Sequence, residues 1–247
     1  MITTIIQARV SSARLPGKVL LPLLDTTVLG STIREVQRAK KIASVVVATS
    51  DQHGDDAIAD AGEKLGVPVF RGSLDDVLDR YYKAAKKFGA EHICRVTADC
   101  PLIDPDIIDR VAAEYEKERC DYISTGRIAS TFPDGMDAEI FSFIALERAW
   151  REAKLPSERE HVTPYIWRHP ELFAVREVQN DRDLSRVRLT LDEPADYEVL
   201  KRIVAEVRPL SMNAIVRYLE THPEVAAINQ NIMRDEGYTK SLKEDTA

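Results

Sequence analysis

A chain of 247 residues, 44% hydrophobic and 30% charged, has the balance of a soluble globular protein and the length of one α/β domain with or without a small appendage. Its formal net charge of -7 argues against a duplex nucleic-acid binder, which would present a basic face. No apolar run is long enough to span a bilayer, so no membrane partner is expected. The N-terminus enters TTIIQAR without a basic leader or a cleavage-like site, and Cys94, Cys100 and Cys120 form no CxxC pair. A cytoplasmic protein with reduced thiols is the expectation.

In chain order, Ile2–Ala8 is short, apolar and β-branched and reads as a buried strand. A loop follows over Arg9–Pro22, and Val28, Leu29, Ile33, Val36 and Ala39 then fall at helical spacing. Ser44–Thr49 is a second strand, Ile58, Ala61 and Leu65 mark a second helix, and Val67–Phe70 is a third strand. Ser73 with Asp76 resembles a capping box ahead of a helix carrying Val77, Leu78, Tyr81, Ala85 and Phe88. His92–Thr97 is a fourth strand, and Asp104-Pro105 opens the next helix in an N-cap/N1 pattern. This alternation predicts βαβ units and a mostly parallel, doubly wound sheet with helices on both faces.

After Cys120 the pattern changes. Asp121–Thr125, Ala138–Ile144 and Leu172–Val178 read as strands, the middle one antiparallel, with helices over Leu146–Lys154 and Glu158–His169. Residues of about 127–180 are expected to form an excursion from the sheet, a lid or dimer arm, before Val187–Leu191 returns to it. Asp192-Glu193-Pro194 then opens a helix, and Ser211–Thr221 is the last clear one. Residues 1–231 are read as a single domain and 232–247 as a polar, loosely held tail.

In an open parallel sheet, ligands bind beyond the carboxyl ends of the strands, where Arg9, Asp51, Asp99 and Asp192 fall. No Asp or Glu occurs from Met1 to Leu24, yet this stretch carries Arg9, Arg14 and Lys18 with Ser11 and Ser12. A cationic, hydroxyl-bearing loop after a first strand is a place to hold phosphates. Pro16-Gly17 supplies a rigid turn with a side-chain-free approach. Asp99 and Asp192, brought together across the sheet, would supply carboxylate oxygens of the kind Mg²⁺ prefers; helix capping is the alternative for each. Better-known phosphate motifs do not fit. Gly17-Lys18 is followed by Val19 where Walker A needs Ser or Thr, and no GxGxxG follows the first strand.

The segments QARVSSARLPGK (Gln7–Lys18), VATSD (Val47–Asp51), FRGSLDDVLDRYY (Phe70–Tyr82), RVTADCPLIDP (Arg95–Pro105), FPDGMDAEIF (Phe132–Phe141), EREHVTPYI (Glu158–Ile166) and RLTLDEPADYEVL (Arg188–Leu200) occur in matching order. Together they resemble the cytidylyltransferases of the spore coat polysaccharide biosynthesis protein F type, relatives of the acylneuraminate and 3-deoxy-octulosonate cytidylyltransferases. The resemblance implies a Rossmann-like, glycosyltransferase-A-like fold and a homodimer. It implies transfer of CMP from CTP to a sugar acid with release of pyrophosphate. Its phosphate loop falls on Arg9, Ser12, Arg14 and Lys18, its metal carboxylates on Asp99 and Asp192, and its base contacts on the Ala8 backbone and the Arg71–Ser73 region. Arg14, Lys18, Asp99 and Asp192 are the expected catalytic set, with Mg²⁺ as cofactor; His161 then reads either as an acceptor contact or as a packing histidine, and Asp134 and Asp137 either as turn formers or as ligands for acceptor hydroxyls. Val10 stands where the acylneuraminate enzymes usually carry glycine, so their acceptor does not carry over. The competing readings are a nucleotidyltransferase using another NTP, or a phosphonate or alcohol acceptor, and a nucleotide-binding subunit without turnover.

Overall fold

The computed structural model describes residues 1–245. Its strands are β1 (Ile2–Gln7), β2 (Pro22–Leu23), β3 (Thr26–Thr27), β4 (Ile42–Ser50), β5 (Val69–Gly72), β6 (His92–Thr97), β7 (Tyr122–Ser124), β8 (Glu139–Ser142) and β9 (Val175–Glu177). Its α-helices are α1 (Val28–Arg38), α2 (Asp56–Lys64), α3 (Val77–Lys87), α4 (Pro105–Glu118), α5 (Phe143–Glu152), α6 (Pro156–His161), α7 (Pro164–Trp167), α8 (Pro194–Glu206), α9 (Met212–Thr221), α10 (Pro223–Ala226) and α11 (Glu236–Glu244). Among the described residues no helix is long and apolar enough to cross a membrane.

Seven strands form one sheet in the order β5-β4-β1-β6-β8-β7-β9, and β2-β3 is a separate small hairpin. β1 lies parallel between β4 and β6, and β5 extends the parallel half beside β4. β8 runs antiparallel to both β6 and β7. Period-two alternation along β1 sends neighbouring residues to opposite faces. Ile6 joins Val47, Leu29, Ile33 and Val111 under α1 and α4, whereas Ile5 joins Leu78, Tyr81 and Leu146 under α3 and α5. The sheet is therefore covered on both sides, as a βαβ succession requires.

The helix starts are set by local chemistry. The Asp104 side chain accepts from the Asp106 amide at 2.9 Å and, with its other oxygen, from the Met212 amide at 2.7 Å, tying the starts of α4 and α9 together. The expected capping box resolves differently: Asp76 is itself the N-cap of α3, accepting from the Asp79 amide at 2.9 Å, while Ser73 Oγ accepts from the Asp76 amide at 3.0 Å.

Three expectations are corrected. The stretch 127–180 does not leave the sheet, because β8 inserts between β6 and β7 and β9 adds to its edge. Val187–Leu191 forms no strand; a single bridge pairs Arg188 with Asp134. Its peptide groups bond to loop residues instead, the Leu189 amide to Asp134 O at 2.7 Å and the Leu191 amide to Asp99 O at 2.9 Å. The chain beyond Asn231 is not loosely held over its described residues, where α11 docks on α6.

Gly135 sits at φ +96, and a Cβ there would stand 2.6 Å from the Leu189 carbonyl carbon and the Thr190 nitrogen. Both are backbone atoms beside Asp134 and Asp192. Gly135→Ala is expected to lower unfolding free energy by more than ~1 kcal/mol, measured by urea denaturation. An unchanged midpoint would contradict this packing.

Candidate active site

A cavity of about 1070 Å³ opens beyond the carboxyl ends of β1 and β6. The loop after β1 forms one wall, and it is held by its own backbone. The Val10 amide bonds to the buried carboxylate of Asp55 at 2.7 Å, and the Gly17 amide returns to Val10 O at 2.9 Å. Gly17, at φ 73, turns the chain into a short helical turn that begins at Lys18. Lys18 is thereby aimed inward and is only 8% exposed.

The Lys18 ammonium donates to Asp99 Oδ2 at 2.6 Å, Asp192 Oδ1 at 2.7 Å and the Leu191 carbonyl at 2.8 Å. Burial pulls the Lys18 pKa down, but the charges of Asp99 and Asp192 outweigh it and raise it above the ordinary value. Burial likewise pushes Asp99 up, and the Lys18 ammonium overrides it, holding the carboxyl below its usual range. Arg14 reaches Asp192 at 3.0 Å and Glu193 at 3.4 Å, and also pairs with Glu236 of α11.

Asp192 is positioned by groups that sequence reasoning did not single out. Arg188 donates to Asp192 at 3.0 Å, to Asp134 at 2.7 Å and to Asp196 at 2.8 Å and 3.0 Å. Asp196 is wholly buried and accepts from the amides of Asp192 and Glu193 and from the Asn229 side chain, each at 2.9 Å. This hub fixes the turn that points Asp192 at Lys18.

A second buried ion cluster faces the same cavity. Glu139 pairs with Arg95 and, at 3.3 Å, with Arg127, and accepts from the hydroxyls of Tyr122 at 2.7 Å and Thr163 at 2.6 Å. Burial alone would raise the Glu139 carboxyl; the two guanidiniums and two hydroxyls bring it down to about 2.

The expected acceptor residues Asp134, Asp137 and His161 all line the cavity. Asp137 is held by Arg234 at 2.6 Å and accepts from the Gly135 amide at 2.9 Å. Burial and the neighbouring Asp137 push the Asp134 carboxyl up to about 7, against the pull of Arg234 and Arg188. His161 Nε2 lies 3.0 Å from Ser241 Oγ. Burial lowers the His161 pKa to about 4, with Glu160 opposing and Arg95 and Arg127 adding to it, so the ring is neutral at neutral pH. The kcat profile is therefore expected to lack a His161 titration near pH 6.5. A pH–rate step there that disappears in His161→Gln would contradict this.

Of the expected nucleotide contacts, Ala8, Arg9, Ser12, Arg14 and Lys18 line the cavity. Arg9 pairs with Glu160 at 3.5 Å. Arg71 and Ser73 do not line it: the Arg71 guanidinium bonds to Ser50 O at 2.9 Å and Gln52 O at 2.8 Å and pairs with Asp56 at 2.6 Å. Asp51 is an exposed residue outside the lining, its amide bonded to Gly72 O. Among the described residues no group of three or more His, Cys, Asp or Glu side chains is placed to hold a metal. The oxygens of Asp99, Asp192 and Leu191 nonetheless converge on one cation, the Lys18 ammonium. That donor set suits a hard divalent ion whose remaining ligands are phosphate oxygens and water.

A cytidylyltransferase family model matches residues 3–225. The chain belongs to that family. It is a nucleotidyltransferase. A cytidylyltransferase structure from Leptospira borgpetersenii is 38% identical, with a TM-score of 0.87, covering 94% of this chain and 98% of that one. The spore coat polysaccharide biosynthesis protein SpsF of Bacillus subtilis is 34% identical over 90% of this chain and 95% of its own. A structure of CMP:2-keto-3-deoxy-manno-octonic acid synthetase complexed with CTP shares the fold, with a TM-score of 0.62 at 16% identity over 83% of this chain and 98% of that one. The cytidylyltransferase sheet is thus the Rossmann-like, mostly parallel one read from the sequence.

Proposed function

We propose that this cytidylyltransferase transfers CMP from CTP to a sugar acid of the nonulosonic or octulosonic type, releasing pyrophosphate, in the synthesis of a cell-surface or spore-coat glycan. The observation that carries the reading is the meeting of the cationic loop with Asp99 and Asp192 in one cavity. A CTP triphosphate brings roughly four negative charges, which Arg14 and Lys18 offset at the departing pyrophosphate. The Ala8 backbone faces the base, and Asp134, Asp137 and His161 lie on the acceptor side. Neutral His161 offers an imidazole hydrogen bond rather than a charge. Asp99 and Asp192 would hold Mg²⁺, which supplies Lewis-acid polarisation of phosphate and acceptor oxygens when bound. Lys18 must then leave its place between the two carboxylates, and its natural destination is a phosphate oxygen.

A homodimer is part of the proposal. Of Phe132, Phe141, Phe143 and Ile144, the first two are core and Phe143 is half-buried, whereas Ile144 is 78% exposed.

The test is pyrophosphate release with each NTP against a panel of nonulosonic and octulosonic acids, with and without Mg²⁺. Release with CTP alone, with one acid and only with metal, is expected. Release with another NTP in preference to CTP would contradict the base assignment, and CTP binding without release would point to a non-catalytic subunit.

A further inference from the structure

Two carboxylates at the start of α11 pair with cations that line the cavity. Glu236 pairs with Arg14, the residue assigned to the nucleotide phosphates. Asp235, immediately before it, pairs with Arg127 at 3.3 Å beside buried Glu139. Asp235 occupies the N-cap position of α11, yet its side chain makes no capping hydrogen bond, and its backbone sits at φ 57. An Asp at a helix start normally satisfies the free amides there; this one gives that up, in a left-handed conformation, to reach a guanidinium across the cleft. The helix then lies along the cavity wall. Ser241 Oγ is 2.6 Å from Glu160, and Asp245 accepts from the Ser157 amide at 2.9 Å and hydroxyl at 2.6 Å. The Tyr238 hydroxyl is buried there with no hydrogen-bond partner, which marks an imperfect seat for the helix.

We propose that α11 is an internal competitor for the phosphate end of the cleft. The carboxylates of Asp235 and Glu236 occupy anion positions on Arg127 and Arg14. A polyphosphate must displace Glu236 to reach Arg14, and the helix start moves away as it does so. The ion pairs involved are partly exposed and individually weak, so a ligand of several charges displaces them at small cost. The inference rests on the reading of this cleft as the CTP site.

The experiment compares the full-length wild type with the double variant Asp235→Asn, Glu236→Gln, using titration calorimetry with inorganic pyrophosphate and with CTP. Hydrogen exchange of residues 236–244 is followed in the wild type with and without each ligand. The variant is expected to bind both ligands roughly 3- to 10-fold more tightly, the effect of deleting two weak competing pairs. The wild-type helix is expected to exchange faster once ligand is bound. Equal or weaker binding by the variant, or slower exchange in the liganded wild type, would overturn the competitor and leave the CTP assignment standing. Failure of both proteins to bind either ligand would overturn the two together.

Discussion

Replacing Asp99 with Asn is expected to reduce turnover by roughly 10²–10³-fold or more while leaving the fold in place, on the scale of losing one preorganised charge in a reacting site. The side chain is half-buried, and its ionic partner is Lys18. Lys18 keeps Asp192 as a counter-ion, and Asn preserves the shape and one oxygen of the side chain. What is lost is one of two anionic oxygens aimed at a common cation position. Steady-state pyrophosphate release and thermal unfolding, run side by side, check this. An intact melting temperature with turnover within a few-fold of wild type would sink the metal assignment.

Glu139→Gln is expected to cost about 3–5 kcal/mol of stability, the usual penalty for removing one partner of a buried ion pair. Arg95 and Arg127 would then face each other with no anion between them, and Arg95 is almost inaccessible to solvent. Glutamine keeps an acceptor for the Tyr122 and Thr163 hydroxyls, so the loss isolates the charge. The pH dependence has a definite sign. The folded-state pKa of Glu139, about 2, lies below the ordinary 4.5. Its contribution is therefore complete above pH 4.5 and fades as pH falls from 4.5 toward 2. Urea denaturation at pH 7 and pH 3 should show wild type and variant converging in acid. A variant within ~1 kcal/mol of wild type at pH 7 would contradict the role given to the cluster.

What the sequence disclosed, and what it hid, follows the range of the interactions. The strand–helix succession up to α4 is legible because each element buries one apolar face, which leaves a period in the chain. The cationic loop that lines the cavity is legible because a long stretch without acids in an acidic chain is a local property. Pairing Asp99 with Asp192 rests on the premise that both follow strand ends; only Asp99 does, and Asp192 reaches it because the Leu191 amide bonds to Asp99 O. Val187–Leu191 misleads, since Val187, Leu189 and Leu191 alternate as a strand would, yet their peptide partners are loop atoms at Asp134 and Asp99. Arg188 and Asp196 look like ordinary helix-flanking charges, and only the fold shows them buried against each other. The same holds for α11. Its sequence, EGYTKSLKE, carries only two large apolar residues, Tyr238 and Leu242, and it is seated by ion pairs and hydroxyls whose partners lie far away in the chain. The missed signal was the pair Asp235-Glu236, an acidic step in a chain whose first loop is cationic and has no acids of its own.

The Lys18 ammonium holds the place between Asp99 and Asp192 that the proposed function gives to a metal ion. The most direct measurement is electron paramagnetic resonance of Mn²⁺ titrated into the wild type, Asp99→Asn and Asp192→Asn, each with and without CTP. Tight Mn²⁺ binding that requires CTP in the wild type, and is lost in both variants, is the predicted result. CTP-dependent Mn²⁺ binding that survives both substitutions unchanged would contradict a single metal–nucleotide pocket at these two carboxylates.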